Sequence, residues 1–192
     1  MKKYFLEIGS SSFDTCRKLA ENGWKGAMVE PIPEVFQDVK DQNEGLDIEN
    51  INLAISDFDG EIDFAVPKIY HEEQWVRGVG HVISNNHKGM NGIGLLQSEE
   101  GKGSLSHIIR VECKKLDTLI DQLKIDHIDF LKIDIEGHEL NVIDSYSWRI
   151  EPSIIKIEHC HLGEVSKNLL FNTLSARGYL INEELEDFYC IK

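Results

Sequence analysis

The chain has 192 residues, 41% hydrophobic and 28% charged, with a formal net charge of −14 at pH 7. That length fits one domain able to bury its own core without a metal or disulfide staple, and the charge disfavours polynucleotides and anionic membranes, which call for basic surfaces. Cys16, Cys113, Cys160 and Cys190 form no C-x-x-C pair, so reduced thiols and a cytoplasmic location are expected, with no zinc site built on paired cysteines.

Tyr4 to Ile8 is a short apolar run ending in Gly9, the pattern of a buried strand. Ser10, Ser11, Ser12 and Asp14 can cap a helix carrying Cys16, Leu19 and Ala20, which Asn22-Gly23 stops. Ala27 to Val29 is a second strand, running into Glu30-Pro31, and a helix is predicted from near Pro33. Ile51 to Ile55 is a third strand, followed by Ser56 and the turn cluster Asp57-Phe58-Asp59-Gly60. Glu61 to Val66 alternates as a half-exposed strand would.

From about residue 67 to 108 the rhythm breaks. This stretch is rich in Gly, His, Asn and Ser, and is expected to be an insertion over the ligand face of a single domain spanning 1–192. No apolar stretch reaches the length of a membrane span, and Glu7 and Gly9 interrupt any signal-peptide core.

Leu116, Leu119, Ile120 and Leu123 resume a helical stripe. Ile128 to Ile133 is a strongly apolar strand. Asp134 to Glu139 is polar and leads into a helix ending near Asp144. Ile154 to Ile157 is another strand, ending in Glu158-His159, and a further helix is closed by Gly178. Tyr179–Ile181 and Phe188–Ile191 form a terminal strand pair. This alternation predicts a doubly wound α/β fold, Rossmann-like, with a mostly parallel sheet and an antiparallel C-terminal strand. In such sheets ligands bind beyond the carboxyl ends of the strands.

Each strand tip carries polar groups. Glu7, Gly9, Ser10 and Ser11 surround the first turn, where a glycine permits close approach of a ligand. The turn lacks the further glycines that accommodate a pyrophosphate, so a ligand without phosphates fits better. Glu30, about 20 residues after Gly9, stands where an acid accepts hydrogen bonds from ribose hydroxyls. Ser56 or Asp57 can reach an adenine amino group, or serve only the turn. Asp134 and Glu136 reach the crevice beside the first strand, whereas Glu139 suits the helix dipole.

Leu131-Lys132-Ile133-Asp134-Ile135-Glu136-Gly137-His138-Glu139 resembles the signature of FkbM-like methyltransferases, in which Lys-Ile-Asp-x-Glu-Gly-x-Glu recurs. Leu116-Asp117-Thr118-Leu119, Ile155-Lys156-Ile157-Glu158, Glu7-x-Gly9 and Val29-Glu30-Pro31 extend the resemblance over about Phe5 to Gly178. The resemblance implies methyl transfer from S-adenosylmethionine, typically to hydroxyl oxygens of sugars or natural products. Its expected acceptor is therefore small, polar and sugar-like. The chain departs from the family pattern in carrying Ser11 and Phe13 where an Asn and a further Gly are common.

A hydroxyl acceptor must lose a proton, and Glu136, His138, His159 and His161 are the candidate bases. Asp134, Glu136, Glu158 and His161 can alternatively hold Mg²⁺ or Mn²⁺, but their spacing matches no strict metal motif and no metal is expected. His81 and His87, with Asn85, Asn86 and Asn91, can face the acceptor from the insertion. The competing readings are a nicotinamide-dependent oxidoreductase, which shares Glu30 but needs the missing glycines, and a catalytically degenerate binding module. Oligomeric state is left open.

Overall fold

The structure is a computed structural model that describes residues 2–11, 16–67, 80–82 and 106–192. Eleven strands and five helices can be traced among these residues. The first half contains β1 (Tyr4–Ile8), α1 (Arg17–Glu21), β2 (Lys25–Val29), α2 (Pro33–Gln42), β3 (Ile48–Ile51), β4 (Ala54–Ser56), β5 (Gly60–Pro67) and β6 (His81–Val82). The second contains β7 (Ser106–Lys115), α3 (Leu116–Leu123), β8 (Phe130–Ile133), α4 (Glu139–Ser145), β9 (Ile154–Glu158), α5 (Glu164–Ala176), β10 (Leu180–Glu183) and β11 (Asp187–Ile191).

Seven strands form the main sheet in the order β10-β11-β9-β8-β1-β2-β3. β3, β2, β1, β8 and β9 run parallel, and β11 inserts antiparallel between β9 and β10. This is the expected doubly wound sheet, with the antiparallel C-terminal strand in place. No helix among the described residues is long and apolar enough to cross a membrane.

β1 is central, and all five of its residues are buried. The period-2 alternation divides its side chains between two layers. Leu6 and Ile8 pack with Ile133, Ile157 and the inner faces of α3, α4 and α5, including Ile120, Val142 and Leu170. Phe5 packs on the opposite layer with Met28, Val35 and Val39. Its ring lies over Gly26, where an added Cβ would come within 2.4 Å.

Glu7 shares that second face. It is opposite Lys132 in the parallel register of β1 and β8, and their charged atoms lie 3.3 Å apart. Both residues are almost wholly buried. A charge pair of this kind fixes strand register, because a one-residue slip would separate the charges and leave each buried alone.

Two features depart from the sequence-based expectation. The run Ile51–Ile55 is two strands, not one. After β3 the Asn52 side-chain amide donates to the carbonyls of Glu30 (2.8 Å) and Pro31 (3.1 Å), and the chain leaves β2 there. β4 then joins a second, four-stranded sheet in the order β4-β7-β5-β6. β7 begins at Ser106, inside the stretch expected to be insertion, and pairs antiparallel with the whole of β5. In β5 the alternation holds: Ile62, Phe64 and Val66 are buried in the second core layer, while Glu61 is exposed and Asp63 half-buried.

Candidate active site

The turn after β1 is fixed by backbone bonds to both neighbouring strands. Gly9 and Ser10 N–H groups both donate to the Val29 carbonyl at 3.0 Å, and Asp134 N–H donates to the Ile8 carbonyl at 3.0 Å. Gly9 has φ +83°, and a Cβ there would lie 1.7 Å from the Asp134 carbonyl oxygen. Only glycine fits, on both conformational and steric grounds. Beneath this turn Glu7 accepts the Cys16 N–H at 2.8 Å and pairs with Lys132, whose Nζ also lies 3.4 Å from Asp134.

Glu30 follows β2 and is 5% exposed. One carboxylate oxygen accepts the Ile32 N–H at 2.8 Å. Burial pushes its pKa up to about 8, more than that hydrogen bond lowers it, with Glu7 and Asp134 adding repulsion.

Between the tips of β1, β2, β4 and β8 lies a cavity of about 340 Å³. Ile8, Val29, Ile32, Leu53, Ala54 and Ile55 supply apolar wall from the strand ends. Phe64, Gly80 and Val82 close it from the small sheet. A Cβ on Gly80 would meet Phe64 and Ile32 at about 2.5 Å, so the glycine lets this wall approach.

The opposite end is strongly acidic. Asp134, Glu136, Glu158, Glu186 and Asp187 line it, with Lys156 as the cation, 3.3 Å from Asp187. Glu136 adopts φ +57° and Gly137 φ +99°. A non-glycine residue held left-handed costs about 1–3 kcal/mol, and such strain concentrates at functional sites. Glu139 stabilises the turn by accepting the N–H groups of Ile135 (3.0 Å) and Gly137 (3.2 Å).

Burial raises the Glu136 pKa to about 8 and the Glu139 pKa to about 7, with Asp134 adding repulsion to both. Burial first, then Asp134, Glu136 and Glu139, drives Glu158 further up. His161 Nε2 lies 3.0 Å from Glu136 and 3.7 Å from Glu158, while desolvation lowers its own pKa. His161 also lines a neighbouring cavity of about 490 Å³, together with Asp57, Gly137, Asn141, Asp144 and Ser166.

The structure thus brings Gly9, Ser11, Glu30, Asp134, Glu136 and Glu158 to one cavity. Other candidates lie elsewhere. Glu7 is beneath the wall rather than on it. Ser10 is buried, and its hydroxyl has no hydrogen-bond partner among the described residues. Ser56 is turned away, sharing a 3.1 Å hydrogen bond with His138 Nε2, and both are buried. Asp57 faces the second cavity. His159 packs on Phe188 with ring centroids 4.3 Å apart, and its Nε2 bonds the Glu184 carbonyl at 3.2 Å. Of the insertion residues, His81 is buried in β6. Ser12, Phe13, Asp14, His87, Asn85, Asn86 and Asn91 lie outside the described residues.

Sequence reasoning missed Lys156, Glu186, Asp187 and the wall from β5 and β6. Lys156 did carry a signal, as a lone cation inside the otherwise apolar Ile154–Ile157 run. The acids beside β11 carried none, because their place depends on a non-local antiparallel register.

A precorrin-6y C5,15-methyltransferase from Geobacter metallireducens GS-15 has a similar structure, with a TM-score of 0.47 and 10% sequence identity, covering 100% of this chain and 82% of that one. No curated protein matches the chain. The sequence profile of the methyltransferase FkbM domain matches residues 5–181, nearly the whole main sheet including the signature turn at Asp134–Glu139. The chain therefore belongs to the FkbM methyltransferase domain family.

Proposed function

We propose that this chain transfers a methyl group from S-adenosylmethionine to a hydroxyl oxygen of a small, polar, sugar-like acceptor. The observation that carries the reading is the division of one cavity into an apolar slot and an acidic end, with Glu30 on its wall. The residues fit each part of that cofactor. The apolar wall of Ile32, Leu53, Ile55 and Phe64 suits a purine, and the Glu30 oxygen not held by Ile32 suits a ribose diol. Gly9 leaves room at the backbone, and Asp134 with its acidic neighbours favours a sulfonium and an ammonium. A volume of about 340 Å³ lies in the range of small-ligand sites, about 300–1,000 Å³.

When bound, the cofactor supplies an electrophilic methyl group, so the protein's work is positioning and proton removal. Gly9 and the Val29 carbonyl bonds hold the tips of β1, β2 and β8 in fixed relation. Glu136 lines the cavity in a conformation maintained by Glu139, and there it takes the acceptor's proton. His138 and His159, considered as bases from the sequence, act instead through packing and hydrogen bonds that orient the two loops.

The test is calorimetry with S-adenosylhomocysteine and NADH on the purified chain. Binding of the first and not the second is expected. Binding of NADH alone would replace this reading with the oxidoreductase one, and binding of neither would favour a degenerate module.

A further inference from the structure

The loop after β9 carries a second kind of chemistry. Glu158, Cys160 and His161 present a carboxylate oxygen, a thiol sulfur and an imidazole nitrogen that all lie within 4.8 Å of one another. Cys160 Sγ is 3.4 Å from Glu158 Oε1, and His161 Nε2 is 3.7 Å from the same oxygen. In a tetrahedral site with Zn–S near 2.3 Å and Zn–N and Zn–O near 2.0 Å, the sulfur–oxygen edge is about 3.5 Å and the nitrogen–oxygen edge about 3.3 Å. The observed separations are already close to those edges. A second observation points the same way: the other Glu158 oxygen is buried and has no hydrogen-bond partner among the described residues.

The geometry points to a divalent transition-metal site of the zinc type, built from Glu158, Cys160 and His161. A thiolate beside an imidazole selects a borderline ion over Mg²⁺ or Ca²⁺, which prefer all-oxygen sets. Three protein ligands leave one position open, the pattern of zinc ions that bind a further ligand. Coordination releases the thiol proton to solvent and places a positive charge among Asp134, Glu136 and Glu139, the acids whose charges bear on Glu158. The ion site stands on coordination chemistry alone. Only its use, lowering the pKa of an acceptor hydroxyl beside Glu136, rests on the methyl-transfer reading.

The test is titration of the full chain with Co²⁺ after removal of metals by a chelator. One equivalent is expected to give a thiolate-to-cobalt charge-transfer band and the intense visible bands of four-coordinate cobalt, both abolished by Zn²⁺ and unaffected by excess Mg²⁺. Cys160 is exposed, so Cys160→Ser should fold normally, lose the charge-transfer band and bind Zn²⁺ at least about tenfold more weakly. His161→Gln should weaken Zn²⁺ comparably while keeping the band at higher Co²⁺. Absence of the band in the wild type, or its persistence at full strength in a folded Cys160→Ser protein, overturns the site. Calorimetry with S-adenosylhomocysteine on the metal-free chain separates the two readings. Cofactor binding without the cobalt band sinks the ion site alone, and the band without cofactor binding sinks the cofactor reading alone.

Discussion

Glu30 at the tip of β2 and the acids at the tips of β8 and β9 are buried carboxylates held above their ordinary range, in each case chiefly by burial, yet their surroundings differ. Glu30 has a backbone donor that offsets part of its shift, and feels Glu7 and Asp134 besides. Glu136 and Glu158 sit in the acidic end, each pushed up further by three other acids. The first arrangement is relieved by neutral donors such as hydroxyls. The second is relieved by positive charge. A ligand carrying a diol at one end and a cation at the other satisfies both, which is why the contrast matters more than either acid alone.

The most drastic way to break the comparison is to move its two halves apart. Gly9→Ala places a methyl against the Asp134 carbonyl at a positive φ, and should cost about 3 kcal/mol or more in urea unfolding. Cofactor affinity should fall with it. A folded Gly9→Ala protein of normal affinity would show that the two tips need not be held together.

Glu136→Gln should lower kcat by about a hundredfold or more while leaving S-adenosylhomocysteine affinity little changed. Equal losses in both would take Glu136 out of proton transfer.

The contrast is sharpest with two ligands that differ only in charge at sulfur. Glu30→Ala should weaken S-adenosylmethionine and S-adenosylhomocysteine alike, by about 10- to 100-fold. Asp134→Ala should weaken the sulfonium more than the neutral thioether, since only the acidic end responds to that charge. Equal ratios for the two variants, read by calorimetry, would erase the distinction.

Acidity gives a smaller, graded readout. A carboxylate raised to about 8 when folded and near 4.5 when unfolded binds more protons in the native state between those values. Stability is then greatest below about 4.5 and falls as pH rises towards 8. Thermal melts of the ligand-free chain should show that decline, and Glu30→Gln should reduce it. Affinity runs the other way, because hydroxyl donors favour ionised Glu30. Binding should tighten as pH approaches 8, with proton uptake by buffer at neutral pH. The smallest expected change is a gain: Glu136→Gly relieves the left-handed backbone and should add about 1 kcal/mol to stability while abolishing turnover.

The succession of most strands along the chain and the polar character of their tips were legible in the sequence, because both follow from local periodicity; the second sheet was not. Gly9, Glu30 and Asp134 immediately follow β1, β2 and β8, and Glu136 comes two residues after Asp134, so counting residues was enough to place them on one cavity. Other side chains obey rules the sequence does not display. Glu7 precedes the tip by two positions, and the alternation of β1 sends it under the wall. His138 faces Ser56, a partner 82 positions away, and His159 faces Phe188 on an antiparallel strand. The break between β3 and β4 was hidden for the same reason: Asn52 looks like any polar residue in an apolar run until its amide meets Glu30 and Pro31.

The contact between Gly9 and Asp134 has a consequence for ligand length. The gap between Glu30 and the acidic end is gauged by main-chain atoms in direct touch, with no rotatable side chain at the joint. A stretched homologue, longer by one methylene between sugar and sulfur, would find no hinge there to widen the span. Selectivity for size would then come from the rigidity of the scaffold, and loosening that seam would be the route to admitting larger donors.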